Sequence, residues 1–403
     1  MFSKLLIAVI VFSICVSCGI RIASQKLLWN DELFTQVETI DRLGYSDIGR
    51  AKFPEGNLSP LFYLGQKFIC RWTDYRLPVQ WNGEFCIYEP RGQVLLRILP
   101  VACMSLAVAL IFLYFACRVS IPAGFLGLAV TLSGFSVWAF MPEARPYSLW
   151  FLLCSLQAML FMEILDGRNA RKFWPWVLMA LVNVLLSLTI FFSAIPIIAV
   201  SAVLFFGQWG RYMRNCIFVT VIPLAGCVLY YLLAKRTYSN LSEDPASVLR
   251  MLKSGAVLFF SGGIFAQRDL ILTNIPPFWG YFLGVGSCIV GWLSLSKRGA
   301  DVLAGFKGFF SALVMMLVMV CAVIIWFFGW RASGNFGIAE RYFIFLTPFA
   351  IFLIMSLVRV LWSFAKEDGL YRLMVVVGMG SMIALTSLWT HIHLMKWGPF
   401  WSL

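Results

Sequence analysis

The chain has 403 residues, of which 61% are hydrophobic and 13% are charged, and its mean hydropathy is +0.85. Soluble domains contain roughly 45–50% apolar and about 25% charged residues. Too few polar side chains are available to cover a globule of this size in water. The composition therefore excludes a water-soluble enzyme, a disordered chain and a disulfide-stabilised secreted scaffold, and it predicts a protein of the lipid bilayer.

The charge balance is strongly basic, with 32 Lys and Arg against 19 Asp and Glu, a net charge of +13. Basic residues of membrane proteins accumulate in cytoplasmic loops. Nucleic-acid binding requires basic clusters on a soluble surface, and the sequence has none, so no nucleic-acid partner is expected. Most of the eleven cysteines lie in apolar runs. Cys70 and Cys86 share a long polar loop and could pair if that loop faces an oxidising compartment.

Apolar runs of about 20 residues, the length that spans a bilayer as a helix, predict the fold class. We expect an all-α polytopic membrane protein with about eleven transmembrane helices in one transmembrane domain over residues 1–403. A weaker apolar stretch within 235–275 is typical of an interfacial or re-entrant loop. The predicted spans are 4–25, 94–117, 120–140, 148–165, 173–188, 190–207, 216–234, 276–296, 309–330, 342–363 and 372–391.

The basic linkers between these spans predict their orientation. Eleven spans place the two termini on opposite sides, and the linkers 166–172, 207–215 and 296–307 then share one face. Because basic loops are retained inside, that face is the cytoplasmic one. The first loop, 29–93, should then lie outside and carry short helices, and the 141–147 turn and the loop at 331–341 share its side.

Acidic residues and arginines recur together in the loops of the outer face. Such groups at membrane depth are costly and indicate functional sites by default. Read singly, Asp31 and Glu32 could cap a loop helix, and Arg97, Arg145 and Arg341 could be anchors at the lipid headgroups. Their recurrence on one face only, in loops that join different helices, favours a shared site.

Five motifs follow one another along the chain, and in this order they resemble the GT-C superfamily of polytopic glycosyltransferases. That superfamily includes protein O-mannosyltransferases and the bacterial aminoarabinose transferases that modify lipid A. The resemblance covers about residues 1–360. The motifs are Asp31-Glu32, Ser59-Pro60-Leu61-Phe62-Tyr63, Arg97-Ile98-Leu99-Pro100, Glu143-Ala144-Arg145-Pro146-Tyr147 and Glu340-Arg341-Tyr342.

The resemblance implies an inverting glycosyltransferase in the bacterial inner membrane. It would move a sugar from a polyprenyl-phosphate donor to a hydroxyl of a glycan, lipid or protein on the periplasmic side. Asp31 would be the catalytic base, and Glu143 a second carboxylate that orients the acceptor or a metal or holds Arg145. A divalent metal is left open, because members of the superfamily differ in using one.

Arginine is the side chain best suited to the donor's phosphate, because its planar fork binds two oxygens at once. Arg145, Arg331 and Arg341 are the candidates for that role. The other residues that the resemblance places at the substrates are Glu32, Tyr147, Glu340 and Tyr342.

Two other classes of membrane protein also handle lipid-linked sugars. A transporter or flippase places its charges near the bilayer midplane and often has internal repeats, whereas these charges lie at the ends of predicted spans and no repeat is visible. A polysaccharide polymerase or ligase should concentrate arginines in a large late outer loop, whereas the long loop here is the first. Both comparisons favour the glycosyltransferase.

Overall fold

The structure is a computed structural model that describes residues 1–26, 28, 30–50, 59–75, 90–165, 172–207, 213–233, 344–364 and 369–396. Every regular element in these ranges is helical. The first half of the chain forms α1 (Phe2–Gln25), α2 (Asn30–Phe34), a π-helical segment (Thr35–Asp41), α3 (Tyr45–Gly49), α4 (Pro60–Trp72), α5 (Pro90–Arg118), α6 (Ile121–Ser133), α7 (Phe135–Phe140) and α8 (Tyr147–Leu165). The rest forms α9 (Trp174–Ser187), a 3-10 turn (Phe191–Ser193), α10 (Ala194–Gly207), α11 (Met213–Leu233), α12 (Leu346–Phe364) and α13 (Gly369–Lys396).

The helical class predicted from composition is confirmed in the described ranges, and five helices there are long and apolar enough to cross a membrane. They coincide with five of the eleven predicted spans. Four other predicted spans fall on shorter apolar helices. The spans at 276–296 and 309–330 and the loop at 235–275 lie outside the described residues, so the total of eleven stays a prediction. The five helices are Phe2–Gln25, Gly92–Arg118, Tyr147–Leu165, Leu346–Ser363 and Gly369–Ile392.

The structure corrects the prediction of one continuous span over 120–140. Gly134 adopts an extended conformation and separates α6 from α7. The final carbonyls of α6 find other donors: the Trp138 indole donates to the Leu132 carbonyl at 2.7 Å, and the Thr390 hydroxyl of α13 donates to the Ser133 carbonyl at 2.7 Å. A helix can end inside an apolar run when its orphan carbonyls are bound in this way, and hydropathy alone cannot detect it.

The helices α9 and α10 also differ from the spans predicted at 173–188 and 190–207. Each has 14 residues, about 21 Å at 1.5 Å per residue. A hydrocarbon core about 30 Å thick needs a longer helix. The apolar run continues between them, but the backbone turns at residues 188–193.

A narrow stripe of small residues lets α1 lie close against α5. A Cβ added at Gly19 would lie 2.7 Å from Val101 Cγ1 and 2.8 Å from Met141 Sδ. Membrane helices approach closely where their facing side chains are small. This packing brings the end of α1 to the first turns of α5. The buried stripe of α1 is Ala8, Val11, Cys15, Gly19 and Ala23.

A proline inside α5 creates the contact that holds α4. Pro100 has no N–H, so it leaves the carbonyl of Leu96, four residues earlier, without its helical donor. The side-chain amide of Gln66, on α4, donates to this carbonyl at 2.6 Å. Gln66 and Leu96 are both buried. The helix α4 is therefore fixed one turn from the start of α5.

The same arrangement recurs in α11. Pro223 leaves the Val219 carbonyl without a helical donor, and the amide of Asn183 in α9 donates to it at 2.8 Å. The amide oxygen of Asn183 in turn accepts from Gln157 Nε2 of α8 at 2.7 Å. Side-chain hydrogen bonds of this kind hold helices together where no water competes.

Replacing Asn183 with leucine should destabilise the fold by about 1–2 kcal/mol, the value of a strong interhelical hydrogen bond in a membrane protein. In a Pro223→Ala background the same replacement should cost less, because the N–H of residue 223 can then bind the Val219 carbonyl. Equilibrium unfolding in mixed detergent and SDS would measure the four members of this double-mutant cycle. Equal costs in the two backgrounds would contradict the role assigned to the proline.

Candidate functional site

Six charged side chains meet at one end of the helical bundle. They come from the end of α1, from α2, from the first turns of α5 and from the turn before α8. We call this group the charge cluster. It contains three acids and three bases that come from segments up to 117 residues apart. Every acid in it lies within 4.0 Å of a base. The charge cluster consists of Lys26, Asp31, Glu32, Arg97, Glu143 and Arg145.

A bidentate ion pair between Glu32 and Arg97 forms the buried base of the cluster. Arg97 Nε donates to Glu32 Oε1 at 3.1 Å, and Arg97 Nη2 donates to Glu32 Oε2 at 2.7 Å. The backbone N–H of Ala144 also donates to Glu32 Oε1, at 2.6 Å. Both side chains of the pair are inaccessible to solvent. One carboxylate thus ties α2 to both α5 and the 141–146 turn.

Arg97 also completes the end of α1. Its Nη1 donates to the carbonyl of Ala23 at 3.1 Å and to the carbonyl of Lys26. The last carbonyls of a helix have no donor within the helix, and a buried one is costly to leave unbound. Arg97 was considered above as a headgroup anchor, and the structure corrects this reading, because the guanidinium is fully buried and bound to protein atoms.

The charge state of Glu32 follows from these contacts. Burial alone would raise the pKa of the Glu32 carboxyl, but the positive charges of Arg97 and Lys26 and the hydrogen bonds from Arg97 and Ala144 outweigh it and lower the pKa below its ordinary value. Glu32 is therefore ionised at neutral pH. With both oxygens occupied and 1% of the residue exposed, Glu32 positions its neighbours in this structure, and its role in substrate binding stays a prediction.

Asp31 and Arg145 lie on the more open side of the cluster. Arg145 Nη1 donates to the Asp31 carbonyl at 3.1 Å and to the Thr35 hydroxyl, and Arg145 Nη2 lies 3.8 Å from Asp31 Oδ2. The Thr35 hydroxyl also donates to the Asp31 carbonyl, at 2.8 Å. The Asp31 side chain is 36% exposed and that of Arg145 is 7% exposed. Asp31 is the most accessible acid of the cluster, and Arg145 fixes its backbone.

Lys26 and Glu143 form the third pair. Lys26 Nζ lies 3.4 Å from Glu143 Oε1, and the two side chains are 9% and 12% exposed. Lys26 directly follows α1, so the pair connects the end of the first helix to the turn before α8. Glu143 therefore has the Lys26 ammonium beside its Oε1, and its role toward the acceptor or a metal stays a prediction.

The 141–147 turn places Glu143 and Arg145 on the cluster and Tyr147 in the core. The Arg145 N–H donates to the Glu143 carbonyl at 2.7 Å, and the Ser148 hydroxyl donates to the Phe140 carbonyl at 2.8 Å. Tyr147 is 0% exposed, and its ring centroid lies 5.4 Å from that of Phe140. The Tyr147 ring therefore packs in the hydrophobic core, and its assignment to substrate binding stays a prediction.

Of the predicted site residues, the structure brings together Asp31, Glu32, Glu143 and Arg145, whereas Tyr147 lies in the core. Lys26 and Thr35 were missed. Lys26 carried a usable signal, since a lysine directly after an apolar helix needs a partner if it is buried. The predicted residues outside the described ranges are Arg331, Glu340, Arg341 and Tyr342. Cys70 is buried, and its proposed partner Cys86 also lies outside those ranges.

Each acid of the cluster is paired with a basic side chain and not with another acid. Among the described residues, no group of three or more His, Cys, Asp or Glu side chains is arranged to hold a metal ion. A cation bound by Glu32 would compete with Arg97, which contacts both carboxylate oxygens. Asp31 is the acid of the cluster with the most open access.

Comparisons with known proteins do not assign the chain to a family. No protein-family model matches the sequence, and no curated protein matches it at a significant level. A functional assignment therefore depends on the geometry of the charge cluster and on the order of the motifs in the chain.

Proposed function

We propose that the protein is an inverting glycosyltransferase of GT-C type, a multi-pass protein of the bacterial inner membrane whose charge cluster faces the periplasm. It would transfer a sugar from a polyprenyl-phosphate donor to an acceptor hydroxyl of an envelope glycan or glycolipid. One observation carries the proposal. The partly exposed Asp31 carboxylate lies at the end of an apolar bundle beside Arg145, and Asp31 directly precedes Glu32 of the buried Glu32–Arg97 pair.

In the proposed reaction Asp31 is the general base. It accepts the proton of the acceptor hydroxyl while that oxygen forms a bond to the anomeric carbon of the sugar. The bond from the anomeric carbon to the phosphate oxygen breaks, and polyprenyl phosphate leaves with the electron pair. Attack opposite to the leaving group inverts the anomeric configuration. Phosphate leaves without a proton donor, so one carboxylate suffices, whereas glycoside hydrolysis normally uses two.

The other charged residues divide into two roles. Arg145 and Glu32 position Asp31, the first through its backbone carbonyl and the second as its chain neighbour. Because Arg145 is mostly buried against Asp31 and Thr35, we assign the donor's phosphate to Arg331 and Arg341, from the sequence. Arginines there would also stabilise the charge that develops on the leaving phosphate.

The location of the cluster supports an enzyme over a transporter. Transporters bind their substrates near the bilayer midplane, at broken helices. Here the end of α1 and the first turns of α5 meet at the cluster, which is therefore an end of the bundle. A lipid-linked phosphate also lies at the surface of a bilayer, at the same depth as such a site.

The proposal is tested with full-length protein in proteoliposomes supplied with polyprenyl-phosphate sugars and envelope glycolipid as acceptor. We expect release of polyprenyl phosphate together with sugar transfer. Arg341→Ala should raise the KM for the donor about tenfold or more, the loss expected when a charge-assisted phosphate contact worth about 1.4 kcal/mol is removed. Liquid chromatography with mass spectrometry would follow both products.

Arg359→Ala provides the control, because Arg359 is exposed near the far end of α12. It should leave the donor KM unchanged. Transport of the intact lipid-linked sugar across the bilayer without transfer would contradict the enzyme. An equal effect of both arginine substitutions would contradict the role of Arg341.

A further inference from the structure

The helix α4 is held on the bundle by one face. Its first turn is attached through the N–H of Leu61, which donates to the Leu188 carbonyl at 3.1 Å. Its middle is attached through Gln66 on Leu96 and through Gly65, where an added Cβ would lie 3.2 Å from the Leu99 side chain. The buried face of α4 consists of Pro60, Phe62, Tyr63, Gln66 and Cys70.

The contacts that attach α4 to the bundle do not involve its opposite face. That face is nevertheless apolar and largely exposed. Leu64, Phe68 and Trp72 recur every four residues and form one stripe, which we call the outer stripe. Leu64 is partly buried against the core, whereas the two aromatic residues are exposed. Phe68 is 60% exposed and Trp72 is 80% exposed. Their ring centroids lie 6.3 Å apart. A helix that faces water normally presents polar side chains on its exposed face. Two adjacent exposed aromatic side chains therefore indicate a surface that contacts something other than water.

The outer stripe lies beside the exposed apolar surface of α5. Leu99, which contacts α4 at Gly65, is followed along α5 by exposed side chains such as Leu106, and Ile98 before it is 37% exposed. Leu99 is about 10 Å from the beginning of the Gly92–Arg118 span at 1.5 Å per residue. A helix about 40 Å long extends about 5 Å beyond each side of a hydrocarbon core about 30 Å thick, so Leu99 lies about 5 Å inside the headgroup boundary.

The flank of α4 carries the charges suited to that boundary. Arg71 is exposed and its guanidinium lies 6.0 Å from the Tyr45 ring. Lys67, one turn earlier, lies 5.8 Å from the same ring. Helices that lie in a membrane surface combine Trp, Phe and Leu on one face with Lys and Arg beside it. Aromatic side chains concentrate at the level of the headgroups.

We propose that α4 is an interfacial anchor, and that its outer stripe inserts between the lipids of the leaflet adjoining the charge cluster. Arg71 would lie at the phosphates of that leaflet. Because α4 is fixed to α5 at Leu96, the residue before Arg97, the anchor sets the depth of the charge cluster relative to the lipid phosphates. The inference stands apart from the proposed function, since it concerns lipid contact and needs no sugar transfer.

The first test uses the unmodified full-length protein in nanodiscs of phosphatidylethanolamine and phosphatidylglycerol. Hydroxyl-radical labelling with peptide mass spectrometry would compare Trp72 with Tyr45. In the protein alone Trp72 is 80% exposed and Tyr45 is 36% exposed, so water access alone predicts faster labelling of Trp72. Insertion into lipid predicts the reverse, with Trp72 labelled several-fold more slowly. Labelling of Trp72 at least as fast as Tyr45 would overturn the proposal.

The second test identifies what covers the stripe. Benzoylphenylalanine at position 68 or 72 should form photo-cross-links to lipid acyl chains, whereas the same probe at the exposed Ser46 should form few. Both aromatic positions are exposed, so the substitutions leave the core intact. Cross-links mainly to another part of the chain, to a second copy or to a glycan would overturn the proposal, as would equal lipid cross-linking at position 46.

Discussion

Replacing Arg97 with methionine is expected to lower the free energy of unfolding by about 3–5 kcal/mol, the cost of removing one partner of a buried ion pair. The buried Glu32 carboxylate would lose the two hydrogen bonds that Arg97 donates to its oxygens. The carbonyls of Ala23 and Lys26 would also lose the guanidinium that binds them. Equilibrium unfolding in mixed detergent and SDS, followed by intrinsic fluorescence, would measure the loss.

The double variant with Arg97→Met and Glu32→Leu provides the control. Exchanging both partners of a buried pair for apolar residues is often nearly neutral, so the double variant should be more stable than Arg97→Met alone. The role of the pair at the end of α1 would be contradicted in two cases. In one, the stability losses of the two single substitutions add up to that of the double variant; in the other, Arg97→Met is as stable as the wild type.

Acidification should weaken the same pair. Glu32 has a pKa below its ordinary value in the folded protein, so the unfolded state binds its proton more readily. The stabilisation that Glu32 supplies is complete above the ordinary carboxyl pKa of about 4.3. It is lost as the pH falls through the lower folded pKa.

Replacing Asp31 with asparagine should reduce the turnover of sugar transfer about 100-fold to 10,000-fold, the contribution of a general base. An amide has nearly the same shape as a carboxylate but cannot accept the acceptor's proton. The fold should be little affected, because the Asp31 side chain is 36% exposed and its oxygen lies 3.8 Å from Arg145. The contacts to its backbone carbonyl do not depend on the side chain. Initial rates with saturating donor would give the turnover.

Asp74→Asn is the matched control on the same loop. Asp74 is exposed and has a φ of 47°, a conformation that asparagine adopts as readily as aspartate. This variant should transfer sugar at the wild-type rate. A folded Asp31→Asn variant with near wild-type turnover would remove Asp31 as the base, and with it the main support for the proposed function.

The hydropathy of the sequence predicted helices better than it predicted their ends. The apolar run at 94–117 coincides with one uninterrupted helix that is long enough to cross a bilayer. The run at 120–140 does not, because Gly134 and the bound carbonyls of α6 end the helix early. Hydropathy averaged over a window reflects how readily side chains transfer into lipid. It contains no information on which donor binds a backbone carbonyl at a helix end.

The candidate site was predicted as a set of residues, but its internal pairing was not. Asp31 and Arg145 were expected to belong together, and the structure places them side by side. The burial of Glu32 and Tyr147 could not be predicted, because it depends on the helices that pack around these residues. Lys26 was missed because its partner, Glu143, is 117 residues away.

Local sequence patterns are enough to predict that this protein is helical, apolar and suited to a bilayer, and that its acids and arginines recur in particular loops. These properties are sums over neighbouring residues, so they can be read from a local window. The pairing of each acid with its base is known from the packing of the helices alone. The same holds for Gln66 and Asn183, which bind the carbonyls left without a helical donor by Pro100 and Pro223. Such pairings depend on which helix ends converge, and that is set by the packing of the whole bundle.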